Sequence, residues 1–403
     1  MISVTPRTVI QSKRVLQKTG KQVSIITSKE RHELRYQRRK SARAAAKTAK
    51  YAEHNNYDEV FTYAHLYDAY KKCRRNVSWK ASVQRYISQA PLNVYKTWNK
   101  LNNGTYKSPE FFEFDIFERG KQRHIRSTVI GERVVQRCLC DNALVPVIGD
   151  TFIYDNGACM KNKGYDFAVR RIQCHLEKYI RHNGTDGYIA TCDLTSFFDS
   201  IPHWAVIQLL SKHFSDKRII QLTEDMISQF DPDNLLYDRK GLGLGSQISQ
   251  VLAPAVAGYV DHFVKDKLGV KYYGRYMDDF YLIHPDKIYL QQCIDAIAQE
   301  CTKFGMVLSE RKTHIIKLSH GFTFLKVKFY ITSSGKIVKK IHPTSVTRER
   351  RKLKKLHVQY LEGNVTYQDI YNSFQSWKSH ASRFNAYYTI QNMQQLFDKL
   401  FTT

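Results

Sequence analysis

Residues 270–284 read Val-Lys-Tyr-Tyr-Gly-Arg-Tyr-Met-Asp-Asp-Phe-Tyr-Leu-Ile-His. Aromatic and β-branched residues on both sides of Asp278 and Asp279 read as the two strands of a hairpin, with the paired acids at its tip. Alternation along a strand sends successive side chains to opposite faces. One carboxylate can then meet a cation while the other turns toward the sheet or a second cation. Hard carboxylate oxygens suit Mg²⁺, which keeps several waters and completes its shell from substrate phosphates. Aspartate is also common in surface turns, and two adjacent acids alone would read that way. The apolar strands and a third acid upstream favour the metal site.

That third acid is Asp193, at the end of the short apolar strand predicted over 187–192 (Gly-Tyr-Ile-Ala-Thr-Cys) and before Leu194-Thr-Ser-Phe-Phe-Asp-Ser-Ile-Pro202. A carboxylate there can meet Asp278 and Asp279 across a neighbouring strand, or it can cap a helix that starts nearby. Three acids sharing one site repel each other unless cations neutralise them. Two Mg²⁺ ions about 3.5–4 Å apart would do so, activating an attacking oxygen and stabilising a leaving one. That is the logic of phosphoryl transfer to a nucleic-acid 3′ end. Asp199 reads as a cap or an ion-pair partner. The glycine-rich stretch Gly241-Leu-Gly-Leu-Gly-Ser-Gln-Ile-Ser-Gln250 precedes a helix from Val251 to Val264. Small residues let backbone approach a ligand closely; an ordinary turn is the other reading.

Charge points the same way. The chain carries 63 Lys+Arg against 37 Asp+Glu, a formal net charge of +26. Such an excess predicts a polyanionic partner, nucleic acid first. A hydrophobic content of 42% sets aside a disordered chain, and 403 residues allow two or three domains. No run approaches the ~18 uninterrupted apolar residues of a membrane span. The start, Met-Ile-Ser-Val-Thr-Pro-Arg, lacks a secretion signal. Eight Cys without a Cys-x-x-Cys pair read as reduced thiols rather than a zinc site. The expected location is cytoplasmic, with no membrane partner.

Residues 1–60 read as a basic extension. The segment 29–50 is rich in helix formers but has few apolar anchors, so it is either solvated or an RNA-binding arm, with Arg38, Arg39 and Lys40 at its centre. Helical patterning follows from about Phe61 to Asn102. Phe111 to Phe117 alternates like a strand, turns at Gly120 and resumes at Arg123. A helix passes through Arg133-Val-Val-Gln. Pro285 and Asp286 open an amphipathic helix with the stripe Ile288, Leu290, Ile294, Ile297, Cys301 and Phe304, closed by Gly305. Phe322 to Ile331 reads as one strand, and from about Ser345 the pattern is basic and helical. The whole suggests an α+β core with appended helices.

The order of these blocks resembles reverse transcriptases: Asp193-x-x-x-Phe197-Phe198, Gly245-x-x-x-Ser249-Gln250, Tyr276-Met-Asp-Asp279, Leu308-Ser-Glu-Arg-Lys312-Thr and Phe324-Leu325. The resemblance runs from about Leu66 to about Asn392. It implies a right-hand polymerase with fingers, a palm with an antiparallel sheet, and a helical thumb. The corresponding division is 61–186 for fingers with part of the palm, 187–335 for the palm, and 336–403 for the thumb. It implies that Asp193, Asp278 and Asp279 are catalytic and that, with Leu194, they hold two Mg²⁺ ions, Mn²⁺ being an alternative. Phe198 matches the family's steric gate against a ribose 2′-hydroxyl, with Phe197 the more core-like of the pair. Lys121, Arg123 and Arg126 match the hairpin that grips the incoming triphosphate. Gly245 and Gln250 fall in the nucleotide-contacting loop. Lys312 matches a lysine near the leaving pyrophosphate, or is a solvated surface lysine. Tyr276, Met277, Phe324, Leu325 and Trp377 are implied nucleic-acid contacts.

Within the family the details look most like bacterial or phage-encoded enzymes of diversity-generating retroelements. The features are Gly-x-x-x-Ser-Gln, Arg123 ten residues before Arg133-Val-Val-Gln, and Ser376-Trp-Lys-Ser-His380. The implied function is RNA-directed DNA synthesis from deoxynucleoside triphosphates, with template RNA, the cDNA product, a cognate structured non-coding RNA and a small basic accessory protein as partners. The chain departs from the pattern at Leu244, where a Gln is usual, which implies relaxed discrimination at template adenines. It departs also at Gln250 (usually Pro), at Ala158-Cys-Met-Lys161 (usually Phe-Arg-Pro) and at Lys326 (usually Gly). Two other expectations stand beside this one: an anti-phage defence enzyme making DNA by templated or self-primed synthesis, and a non-catalytic, maturase-like RNA-binding scaffold.

Overall fold

The computed structural model describes residues 27–118, 121–235 and 237–401. It divides into two compact units, Met1–Lys50 and Tyr51–Thr403. In the first, helix α1 (Ser28–Lys50) opens on a reciprocal cap. Thr27 Oγ1 accepts the Glu30 N–H at 3.2 Å and Glu30 Oε2 accepts the Thr27 N–H at 2.6 Å. Its described side chains are exposed along its length, Arg38, Arg39 and Lys40 included. Residues 51–60 of the extension expected over 1–60 fall in the second unit. Tyr51, Tyr57, Val60 and Phe61 are buried in the core of the second unit, because their apolar area has somewhere to pack.

The second unit is a mixed α+β body with antiparallel sheets. Helices α2 (Tyr63–Cys73), α3 (Ala90–Asn102) and α4 (Ile130–Leu139) pack Leu66, Val94, Leu101, Val134 and Leu139 into the main core. Thr62 starts α2 by accepting the His65 N–H at 3.2 Å. Between α3 and α4 an antiparallel hairpin, β1 (Phe112–Glu118) and β2 (Lys121–Ser127), leaves Phe112, Phe114 and Phe117 exposed.

The chain then runs through helix α5 (Tyr165–Asn183), strand β3 (Tyr188–Thr195), and helices α6 (His203–His213), α7 (Lys217–Ser228) and α8 (Gln247–His262). The hairpin β4 (Tyr272–Tyr276) and β5 (Asp279–His284) precedes helix α9 (Lys287–Thr302). Strands β6 (Val307–Leu308) and β7 (His314–Lys317) complete an antiparallel sheet of order β4-β5-β3-β6, with β7 also on β3. Alternation buries both faces. Ala190, Cys192, Tyr273, Phe280 and Leu282 meet α9 through Leu290, Ile294 and Ile297 in the main core. Ile189, Tyr272, Tyr281 and Ile283 meet Ile172, Leu176 and Tyr179 of α5 on the other face. Gly274 lies opposite Tyr281 in register. A Cβ there would fall 2.7 Å from the Tyr281 hydroxyl, so only glycine lets that ring cross the strand.

Two expectations change. Phe322–Ile331 is two strands, β8 (Phe322–Phe324) and β9 (Val327–Ile331). They turn at Leu325 and Lys326, whose φ values are +47° and +61°, a two-residue left-handed hairpin turn without glycine. Strand β10 (Ile337–Ile341) adds to them in the order β10-β9-β8. In α9, capped by Asp286 on the Ile288 N–H at 2.7 Å, Ile288 is 70% exposed and Cys293 takes its place in the buried stripe. The C-terminal helices α10 (Pro343–Leu361), α11 (Tyr367–Ala381) and α12 (Tyr387–Phe401) enclose a third core of Leu353, Ile370, Phe374, Met393 and Phe397. No helix among the described residues is long and apolar enough to cross a membrane.

Candidate active site

Strand β3 runs through Asp193, which pairs in register with Asp279 at the start of β5. Directly opposed side chains on one sheet face have Cβ atoms about 4.5–5.5 Å apart, and like charges there destabilise the pair. Asp193 is 6% exposed and lies inside the strand, while the helix that follows starts beyond Ser196, so it caps no helix. Asp278 occupies the two-residue turn with Met277, whose φ of +56° is left-handed. The turn is tied to β3 where the Leu194 N–H donates to the Asp278 carbonyl at 3.2 Å. The Leu194 side chain is core; its backbone is the part that reaches the site.

Lys312 answers the negative charge. Strand β6 pairs Leu308 with Leu194, and Ser309 donates its N–H to the Asp193 carbonyl at 2.8 Å. One 3₁₀ turn, Glu310–Lys312, then brings Lys312 Nζ to 2.7 Å from both Oδ1 and Oδ2 of Asp193. Asp279 is pushed up to about 7 by burial first, then by Asp278 and Asp193, against the opposing pull of Lys312 and Lys326. Among the described residues no three His, Cys, Asp or Glu side chains form a ready cage for a metal ion. The donor set nevertheless suits Mg²⁺, which takes one or two carboxylates plus waters and substrate phosphates. A cation would relieve the repulsion that raises Asp279, and the Lys312 ammonium already fills part of that need.

The aspartates stand between two cavities. One, about 1220 Å³, is lined by Asp193, Asp278 and Asp279 together with Tyr276, Phe324, Leu325, His342 and Arg348. The other, about 1090 Å³, is lined by Asp193 and Asp278 with Arg126, Phe198, Leu244 and Lys240. Phe198 is half-buried beside the aspartates, edge-on to the buried Phe197 at 5.4 Å. Asp199, expected as a cap or ion-pair partner, is exposed on the same cavity wall. Arg126 Nε holds Glu113 at 2.9 Å, and its Nη1 donates to the Phe230 carbonyl. The side chains of Lys121 and Arg123 lie outside the described ones, though both residues belong to β2.

The other expected contacts are packed into the fold to different degrees. Gly245 has φ +104°, and a Cβ there would sit 3.0 Å from the Arg126 carbonyl. Its role is to seat the loop on β2, while Gly243 and Leu244 face the cavity. Gln250 points outward from α8, since helical phase buries Ser249 and Val251 instead. Phe324 is nearly buried against Tyr281, at 5.1 Å. Trp377, expected as a nucleic-acid contact, is 8% exposed and stacked on Phe374 inside the C-terminal core. Two residues went unnoticed in the sequence. Arg275 and Asp261 form a buried ion pair at 2.6 Å behind the turn. The available signal was a single carboxylate in the apolar run 251–264.

Residues 119–329 match the reverse transcriptase (RNA-dependent DNA polymerase) family. The chain belongs to that family. No curated protein matches the chain. Among solved structures, telomerase from Candida albicans, in complex with a TWJ fragment of telomeric RNA, is similar at TM-score 0.44 and 10% identity, over 78% of this chain and 66% of that one. Apo telomerase from Candida Tropicalis is similar at TM-score 0.42 and 14% identity, over 78% and 64%. This chain thus spans less than two thirds of each of those chains.

Proposed function

We propose that the protein is an RNA-directed DNA polymerase that makes cDNA by two-metal nucleotidyl transfer, of diversity-generating retroelement type and bacterial or phage origin. The observation that carries the reading is the convergence of Asp193, Asp278, Asp279 and Lys312 where the two cavities meet. In this reading 61–186 are fingers with part of the palm, 187–335 are palm, and 336–403 are thumb. The cavity beside Arg126 and Phe198 takes the deoxynucleoside triphosphate, and the one beside His342 and Arg348 takes the growing strand.

Asp193, Asp278 and Asp279 would hold Mg²⁺, which when bound lowers the pKa of an attacking hydroxyl and neutralises the leaving oxygens. The chain's own groups do the rest. Lys312 brings a proton and a positive charge beside Asp193, where it would face the leaving pyrophosphate. Arg126 adds charge on the triphosphate side. The Phe198 ring occupies space that a 2′-hydroxyl would need.

An RNA partner is supported by charge. Residues 69–107 include nine Lys/Arg and no Asp/Glu, and all nine are exposed. There the Trp79 ring is 73% exposed with Lys80 Nζ 5.5 Å from its centroid, a pairing that single strands exploit by stacking. The test is extension of a primed RNA with deoxynucleotides, the product being identified by length and nuclease sensitivity. A full-length, DNase-sensitive product supports the reading. Extension on DNA templates alone, or with ribonucleotides preferred, removes it.

A further inference from the structure

We propose that Arg275, held by Asp261, is the positioning residue that fixes the Met277–Asp278 turn and with it the carboxylates of Asp278 and Asp279. The inference deepens the polymerase reading and rests on it for the role of those carboxylates. Arg275 is 3% exposed and Asp261 is fully buried. Arg275 Nε donates to Asp261 Oδ1 at 2.8 Å and Nη2 to Oδ2 at 2.6 Å, a two-pronged contact. The Tyr273 hydroxyl donates to Asp261 Oδ1 at 2.6 Å, so the carboxylate is fixed in turn. Nη2 also reaches the Pro254 carbonyl of α8 at 2.9 Å.

The remaining contact carries the argument. Arg275 Nη1 reaches forward to the Met277 carbonyl at 2.9 Å. Met277 is a non-glycine residue at φ +56°, a conformation that such residues adopt only where the surroundings impose it. On the next residue, the Asp278 carbonyl accepts the Leu194 N–H at 3.2 Å. Both turn carbonyls are thus held, one by a buried guanidinium and one by the strand that carries Asp193. The three aspartates are keyed to one frame through these two bonds. A pair needed for stability alone would not require the forward reach to Met277. Lysine could keep the charge but not serve Asp261 and Met277 together, because it lacks the rigid fork.

The test uses the full chain with Arg275→Lys and with the double variant Arg275→Met/Asp261→Leu. Exchange of a whole buried ion pair for apolar residues usually preserves folding, whereas removal of one partner strands a buried charge. Mn²⁺ binding is followed by electron paramagnetic resonance without nucleic acid or nucleotide, beside thermal melting and kcat in Mg²⁺ and in Mn²⁺. The expected result is folded variants whose Mn²⁺ affinity and kcat fall about 10–100-fold, as for other groups that orient metal ligands. The loss of kcat should be smaller in Mn²⁺ than in Mg²⁺. Folded variants with parental Mn²⁺ affinity and kcat overturn the proposal. So does unfolding of both variants, which would make the pair purely structural. A parent that binds Mn²⁺ yet extends no primer, beside folded variants that lose Mn²⁺ affinity, separates the two claims: the positioning role stands and the polymerase reading fails.

Discussion

Asp193 and Asp279 face each other directly across β3 and β5, and Lys312 Nζ bonds both oxygens of Asp193 at 2.7 Å. Two carboxylates in register on a buried sheet lower stability. Lys312 offsets part of that conflict.

The conflict sets a pH dependence. The Asp279 carboxyl titrates at about 7, against 3.8 for the ordinary group. A raised carboxyl pKa means stability present at low pH and lost as pH rises through the interval up to about 7. The loss is of order 2–4 kcal/mol. Without metal, the protein should therefore melt lower at pH 8 than at pH 6. Mg²⁺ should raise the melting temperature more at pH 8. Asp279→Asn should raise the metal-free melting temperature at pH 8 while abolishing activity. Equal Mg²⁺ shifts at both pH values would contradict this account of Asp279.

Lys312→Met should lower kcat by about 10²-fold or more, the scale of a lost proton donor, with RNA affinity nearly unchanged. Steady-state kinetics beside a binding isotherm check this. A variant with normal kcat would return Lys312 to the role of a solvated surface charge.

Phe198→Ala should admit ribonucleotides, because its ring lines the cavity beside Asp193. The measure is the ratio of kcat/KM for a ribonucleotide and its deoxy counterpart. An unchanged ratio would place sugar selection elsewhere, with Phe197 on the same cavity wall the next residue to test.

Truncation should be sharply position-dependent. Removing residues 1–50 should leave Tyr51–Thr403 folded and weaken binding of a structured RNA, with a shallower salt dependence. Removing 1–60 deletes Tyr51, Tyr57 and Val60 from the core and should lower the melting temperature by several degrees. Equal melting of the two would show that these side chains add little.

The clustering of the three acids was legible because strand alternation and a two-residue turn are local facts. Asp278 and Asp279 follow from short-range pattern, Lys312 came only from the resemblance to reverse transcriptases, and the α+β core follows from strands separated by helices. Partners set by tertiary packing were not legible. Arg275 stands within the opening motif, yet its role depends on Asp261, a residue of α8. Gln250 matched a motif but took the outward phase of its helix. Trp377 read as a nucleic-acid contact until three helices closed around it. Strand β10 was hidden because Lys339 and Lys340 interrupt its apolar residues.

The central claim is that Asp193, Asp278 and Asp279 form a divalent-cation site for DNA synthesis on RNA. The direct measurement is Mg²⁺-dependent incorporation of labelled deoxynucleotides on a primed RNA, by the parent and by Asp278→Ala/Asp279→Ala with matched RNA binding. The account predicts incorporation by the parent, its loss on chelation, and none by the double variant. Incorporation by the double variant at the parental rate would contradict it.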